Sequence, residues 1–409
     1  MKTPWKPLLG ISLLLCSAWA QAGGLWIRDF GTAAQGRANA GEAAGVESSG
    51  TVAHNPAGLA LLEENEFSVS GFAFVGDTEF DIDSTTPAAG NDDGGSAAGT
   101  TPAGGLSYVH KLNERWTAGF AVAGFTGASL DYNDDWVGRY QAQKVELLGI
   151  AAVPGISYQA TDKLSLGLAL PILYTDLELD VAIPNLQTPL TGPDGQASID
   201  GDDTNVGVQL GAIYEFTDAT RLGVMYMSKF DQSFSGGLDL DLEVGSANVE
   251  VDTDLTFAEM VRVGLAHKLN EQYTLYLGAG WENWSELADV LITGENNAAS
   301  IRTNWEDTWH VSSGISYRRS NGFEWQFGVA YDSSPVDDDD RRAELPVDRQ
   351  IRVSTSASWQ HSKRVRIGTY ITYMDLGSAE IGSSPIFEGD FDPNRIWQIG
   401  ANLHFYPGR

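Results

Sequence analysis

The chain reads as all-β: a 14-stranded antiparallel transmembrane β-barrel with an N-terminal, partly helical hatch (plug) inside its lumen. Three observations predict it. An apolar leader marks the chain for export, long segments alternate apolar with polar or small residues, and their connections alternate short and long. A chain of 409 residues would make two or three soluble domains, but a large barrel reaches this size as one.

The leader is residues 1–22. Lys2 and Lys6 form its basic end, "LLGISLLLCSAWA" its apolar centre, and Ala20-Gln21-Ala22 a small-x-small cleavage site. The apolar run is too short to span a bilayer, so the sequence predicts its removal. The sole cysteine, Cys16, leaves with it; Leu15 stands where a lipid-attachment signal needs a small residue. The mature chain then has no disulfide and relies on backbone pairing. Loss of the two lysines takes the formal charge from −30 to −32. So acidic a chain lacks the basic footprint of a nucleic-acid binder. No later window approaches 18 consecutive apolar residues, which excludes transmembrane helices.

Residues 23–64 form the next unit. "FGTAAQGRANAGEAAG" has no period of two, and its glycines make an isolated helix marginal. The segment is expected to order inside an enclosure, the alternative being a mobile periplasmic tail.

Residues 65–409 carry the strand pattern. "TNVGVQLGAIYEF" places Val206, Val208, Leu210, Ala212, Tyr214 and Phe216 on one face, with Ile213 the exception. "FEWQFGVAY" and "RIWQIGANLHF" repeat this with Trp325, Phe327, Val329 and Tyr331, and with Trp397, Ile399, Ala401, Leu403 and Phe405. A strand facing lipid on one side and a wet lumen on the other requires such alternation. Short turns fall at 111–115, 159–163, 216–221, 268–272, 318–322 and 360–364. Longer Asp/Gly/Ser/Pro-rich stretches fall between them, at 77–102, 127–142, 183–203, 235–254, 293–303, 335–347 and 382–394. Thirteen connections make fourteen strands, both ends on the short-turn, periplasmic side. Trp281, Trp284, Trp305, Trp309, Trp359 and Trp397 are candidates for the interfacial girdles or the lipid face.

The hatch sequence "GLWIRDFGTAAQGRANAGEAAGVESSGTVAHNPAGLALL" closely resembles the N-terminal hatch of the FadL/TodX-type outer-membrane transporters of long-chain fatty acids and other hydrophobic compounds. The matching residues are Gly36-Arg37-Ala38, Gly41-Glu42 and Asn55-Pro56-Ala57. The likeness continues through "RLGVMYMSKFDQSFSG", "FAEMVRVGLAHKLNEQYTLYLGAGWENWSEL" and "GVAYDSSPVDDDDRRAELPVDRQ", with the outer-turn motif Asp332, Ser334 and Pro335. It thus spans essentially the mature chain. One departure lies at the end, where Phe405 and Tyr406 are followed by "PGR". The family ends on an aromatic residue that marks strands for the barrel assembly machinery, and Phe405 is expected to serve.

The resemblance implies a monomer in the bacterial outer membrane, surrounded by lipid and lipopolysaccharide, without cofactor. It implies that a long-chain fatty acid or other hydrophobic ligand binds in the plugged lumen and leaves sideways through a kinked third strand. An aromatic hydrocarbon or alkane is the alternative cargo. A fatty chain gains about 0.8 kcal/mol per buried CH₂, so an apolar cavity suits it better than a wet channel. Gly124, Phe125 and Gly127 fall at the family's kink, with Thr126 between them; the plainer role of these glycines is to thin the lumen face. Leu25, Trp26 and Phe30 become ligand contacts or hatch packing, and Arg37 a hatch support or a partner for a carboxylate.

Little else points to chemistry. Six histidines stand singly, without metal-ligand spacing. His310 and Ser312 resemble the His-x-Ser of outer-membrane phospholipases, but no G-x-S-x-G elbow accompanies them. A lipid hydrolase and a general porin are therefore the less favoured readings. The acids Asp337–Asp340 read as a solvated outer loop rather than a cation site.

Overall fold

A computed structural model describes residues 25–408 except 29, 186–192, 243–244, 288 and 295–297, so the export leader lies outside the described residues. The chain forms a closed antiparallel barrel of fourteen strands. Four come first without interruption: β1 (Glu66–Thr85), β2 (Thr100–Lys111), β3 (Trp116–Asp131) and β4 (Lys144–Gln159). The next six are each broken once. They are β5 (Leu164–Ala169, Ile172–Ile183), β6 (Gly195–Val206, Gln209–Thr217), β7 (Thr220–Met227, Phe230–Leu242), β8 (Gly245–Phe257, Met260–Lys268), β9 (Tyr273–Glu282, Asp289–Gly294) and β10 (Ala298–Arg302, Thr308–Arg318). Four unbroken strands complete the wall: β11 (Glu324–Asp332), β12 (Gln350–Ser362), β13 (Val365–Asp375) and β14 (Phe387–Phe405). β14 returns to β1 in antiparallel register from Phe67↔Phe405 to Thr85↔Phe387, which closes the sheet and leaves no outer edge strand.

The alternation holds in three dimensions. Val206, Val208, Leu210, Tyr214 and Phe216 are exposed on the outer surface while Ile213 is buried. Trp325, Phe327, Val329 and Tyr331, like Trp397, Ile399, Leu403 and Phe405, also face out. The six short turns join strands at one end of the barrel.

Two expectations need correction. Residues 235–254 are not an outer loop: Phe230–Leu242 and Gly245–Phe257 pair continuously from Phe230↔Phe257 to Leu242↔Gly245. Much of 293–303 is likewise strand. Strands such as the 20-residue β1 outrun the 9–11 residues that cross a bilayer, so their outer halves stand in water. There the outward face carries acids at every second position, and so acidic a strand reads like a loop despite its alternation. The second correction concerns Trp284 and Trp305, which are buried inside the barrel, whereas Trp309, Trp359 and Trp397 are exposed.

The described residues between 25 and 61 fill the lumen. Their helical content is three short turns, Ala33–Arg37, Thr51–His54 and Pro56–Leu61. Inward-facing glycines of the wall make room for this segment. A Cβ at Gly167 would lie 2.1 Å from the Ala57 nitrogen, at Gly223 1.8 Å from the Ala43 carbonyl, and at Gly328 2.1 Å from the Arg37 carbonyl. The hatch backbone thus rests directly on the wall.

Candidate ligand site in the lumen

The site begins with a defect in the wall. β3 and β4 pair regularly up to Gly124↔Ile150 and resume at Thr126↔Gly149, leaving Phe125 as a bulge residue. On its other edge β3 pairs with β2 only from Lys111↔Thr117 to Gly105↔Ala123. Beyond that, Thr100–Gly104 of β2 pair with β1 alone among the described residues, and Pro102 has no N–H to offer. The hatch takes the vacant edge. Trp26 bridges Thr126 in antiparallel fashion, the Ile27 N–H donates to the Phe125 carbonyl at 2.8 Å, and the Thr126 hydroxyl donates to the Leu25 carbonyl at 2.7 Å.

The bulge turns Phe125 inward, where it stacks on Phe30 with ring centroids 4.9 Å apart. Of the other two residues at the expected kink, Gly124 pairs with Ile150 and Gly127 with Leu148. The irregularity is thus centred on Phe125.

Trp26 fills an aromatic cage. Its ring lies 5.5 Å from Phe257, 5.7 Å from Phe230, 6.2 Å from Trp284 and 6.4 Å from Phe125, mostly in edge or tilted contacts that aromatic quadrupoles favour. Trp305 continues the cluster behind Trp284, at 5.5 Å. These residues come from the strand breaks: Phe230 and Phe257 border them, while Trp284, Trp305 and Ala258 lie within them. Ala258 is outside the ladder, and its carbonyl accepts the Trp26 indole N–H at 2.9 Å.

Ion pairs lie beside the cage. Arg28 pairs with Glu42 at 2.8 Å, and His54 Nδ1 meets the other Glu42 oxygen at 2.8 Å. Burial opposes ionisation of Glu42, but Arg28, His54 and Arg262 outweigh it and hold its carboxyl well below the ordinary carboxylate range. Arg262 pairs with Glu282, whose second oxygen accepts the Trp284 indole N–H at 2.6 Å. Arg352 pairs with Asp332 at 2.8 Å. Three guanidinium groups thus meet three carboxylates. Asp332 also contacts His310 at 2.8 Å, and His310 meets the Ser312 hydroxyl at 3.0 Å. This order matches that of a hydrolase triad, but all three residues are buried and Arg352 engages the other Asp332 oxygen.

The motif residues sit apart from the cage. The Asn55 side chain accepts from the Ala57 N–H at 3.0 Å and donates to the carbonyls of Ala43 at 2.6 Å and Val224 at 3.2 Å. Pro56 opens the following turn. Gly36 lies against Ser356, and Gly41, with φ of +63°, rests on the backbone of β8 and β9. Arg37 pairs with Glu47 at 3.0 Å and lies 3.9 Å over the Tyr276 ring. Its carboxylate partner therefore belongs to the hatch itself. In the outer turn, Ser334 donates to the Val336 carbonyl at 2.8 Å, and the Pro335 carbonyl accepts from the Glu306 N–H at 2.6 Å.

Sequence reasoning missed Arg28, Phe230, Phe257, Ala258, Trp284 and Trp305 as members of this site. The available signal was the loss of period two around "WENWSEL", where Trp284 falls off the alternation.

A lipid-facing barrel whose lumen is filled by its own N-terminal segment defines the class: a plugged outer-membrane transport protein. The chain belongs to the outer membrane protein transport protein family (OMPP1/FadL/TodX), whose model matches residues 13–386. It is 21% identical over 430 residues to the long-chain fatty acid transport protein of Salmonella typhi, covering 98% of both chains. In three dimensions it resembles a Pseudomonas aeruginosa FadL homologue, with a TM-score of 0.86 and 19% identity, covering 94% of this chain and 100% of the other. It also resembles the P. putida toluene transporter TodX, with a TM-score of 0.66 and 18% identity, covering 86% of this chain and 92% of the other. The family transports and is not enzymatic.

Proposed function

We propose that this protein takes up hydrophobic small molecules, of the kind named for its relatives, by lumen binding and lateral release. A ligand arriving from outside displaces Trp26 from the aromatic cage and leaves between β2 and β3 into the membrane. Leu25, Trp26 and Phe30 are the hatch residues that respond, and the Phe125 bulge is the gate. Residues 1–22 are removed on export, and the closed wall works as a monomer in lipid and lipopolysaccharide. The observation that carries this reading is that one residue, Trp26, both fills the cage and pairs with Thr126 on the vacant edge.

The alternative path, straight through the hatch, is chemically poor. Below the hatch lies a cavity of about 620 Å³ lined by Glu47, Glu64, Arg221, Lys268, Arg318 and Arg366 among others. An apolar molecule gains nothing among those charges, whereas the lipid outside the gap accepts it.

A reversible lock tests the route. Residues opposite each other in a non-hydrogen-bonded antiparallel bridge have Cα atoms about 4.5 Å apart, a spacing a disulfide spans. The pair Trp26→Cys and Thr126→Cys is therefore expected to transport toluene or oleate into vesicles when reduced and not when oxidised. Equal flux in both states rules out release at this gap.

A further inference from the structure

We propose that the cage selects a neutral aromatic molecule of one or two rings carrying a single hydrogen-bond donor, the class of phenols and indoles, over a fatty-acid anion. This rests on the lumen-binding reading above. Three observations carry it.

The first is the occupant. An indole side chain fills the cage in edge and tilted contacts with Phe125, Phe230, Phe257 and Trp284, so the space accepts a flat ring system of that size. The second is the polar atom at the rim. The Ala258 carbonyl lies in the break of β8 and accepts 2.9 Å from the indole nitrogen. A ligand that expels Trp26 without a donor leaves this carbonyl unsatisfied, whereas a hydroxyl or N–H replaces the bond it removes. A carboxylate, which only accepts, meets a second acceptor there.

The third observation is the balance of charge beside the cage. Arg28, Arg262 and Arg352 are matched by Glu42, Glu282 and Asp332, all buried. A ligand carboxylate would be a fourth anion where each of the three guanidinium groups already has a carboxylate partner, and burying an unmatched charge is costly. A neutral ring disturbs none of these pairs.

Purified full-length barrel in vesicles, offered p-cresol, toluene, indole and octanoate, separates the possibilities by equilibrium binding and by flux. The expected result is that p-cresol and indole bind about tenfold tighter than toluene, the effect of one retained hydrogen bond, and that octanoate binds least. Toluene binding as tightly as p-cresol overturns the donor requirement. Octanoate binding tightest overturns the neutral-aromatic assignment while leaving uptake itself intact. Failure of all four to bind or cross sinks the transport reading, and this inference with it. Trp26→Phe provides a second readout. It keeps a ring in the cage but removes the plug's own bond to Ala258, so both p-cresol and toluene should bind more tightly with their ratio preserved. Unchanged affinities would mean that the ligand does not displace this side chain.

Discussion

Trp26 and Thr126 face each other across an antiparallel bridge, and that contact joins what fills the lumen to what seals the wall. The ring of Trp26 lies among Phe230, Phe257 and Trp284, while the edge of β3 that β2 leaves vacant holds its backbone. Neither contact breaks without straining the other, because Leu25–Ile27 is one short segment bonded to β3 at both ends.

Thr126→Val keeps the side-chain shape but removes the 2.7 Å bond to the Leu25 carbonyl. Loss of one such bond costs about 1 kcal/mol, which raises the released fraction of the segment about fivefold. Faster uptake at low ligand concentration is the expected outcome, with barrel thermal stability unchanged. Wild-type kinetics would show that the hydroxyl does not hold the gate.

Gly211→Ala should dislodge the Asn55-Pro56-Ala57 turn, since its Cβ would sit 1.9 Å from the Asn55 side-chain oxygen. Asn55→Ala removes the same anchor from the other side, together with its donors to Ala43 and Val224. Both variants should leak small ions in planar bilayers while still running as folded barrels on unheated gels. Gly71→Ala, which meets nothing within 4 Å, is the control and should remain tight. A silent Gly211→Ala would mean that the turn is not seated on β6.

Acid should loosen the hatch, but only strong acid. The folded-state pKa of Glu42 is well below the ordinary value of 4.5, so its stabilising effect is fully present above that value. The effect is lost as pH falls through the depressed folded pKa. Ion leakage should therefore stay flat from neutral pH to about pH 5 and rise only at strongly acid pH. Glu42→Gln should leak at neutral pH, because breaking a buried pair costs about 3–5 kcal/mol. A tight Glu42→Gln, or a hatch that stays tight even at strongly acid pH, would contradict the role of the Arg28–Glu42–His54 cluster.

Phe405 is the last residue of β14 and pairs with Phe67 on one side and Val365 on the other. Its ring is exposed toward the membrane. Phe405→Ala is expected to lower the assembled, heat-modifiable fraction in cells severalfold. Deleting Pro407–Arg409 should leave that fraction near wild type, because those residues follow the last strand. The reverse pattern would place the assembly signal in the extension.

The strand count was legible because a lipid-facing strand has one solution to its environment, apolar residues at every second position over a long run. The segments ending at Tyr331 and Phe405 show it. The same rule is masked above the membrane. Around Asp239 and Glu250 the outward face carries acids while Leu238, Leu240 and Val251 lie on the other, so the period of two survives but the acidic, Gly-rich composition makes β7 and β8 look like one long loop. It fails at the breaks. Trp284 and Trp305 suit a girdle by composition, yet an interrupted ladder lets the chain turn those rings into the lumen. Period two marks only residues that stay in the ladder, and these two lie in its breaks.

The hatch shows the division most clearly. Residues 23–64 lack both the period of a strand and the propensity of a stable helix, and the fourteen strands that follow imply a lumen in which such a segment can order. Its motifs also carried the family likeness. The contacts of each part come from the tertiary structure alone. Asn55 anchors a turn over Gly211, while Trp26, with no motif of its own, fills the cage and pairs with the wall. The reason is physical. The cage is assembled from Phe125, Phe230, Phe257 and Trp284, four residues on or between different strands, and only closure of the barrel brings them within van der Waals reach of one indole.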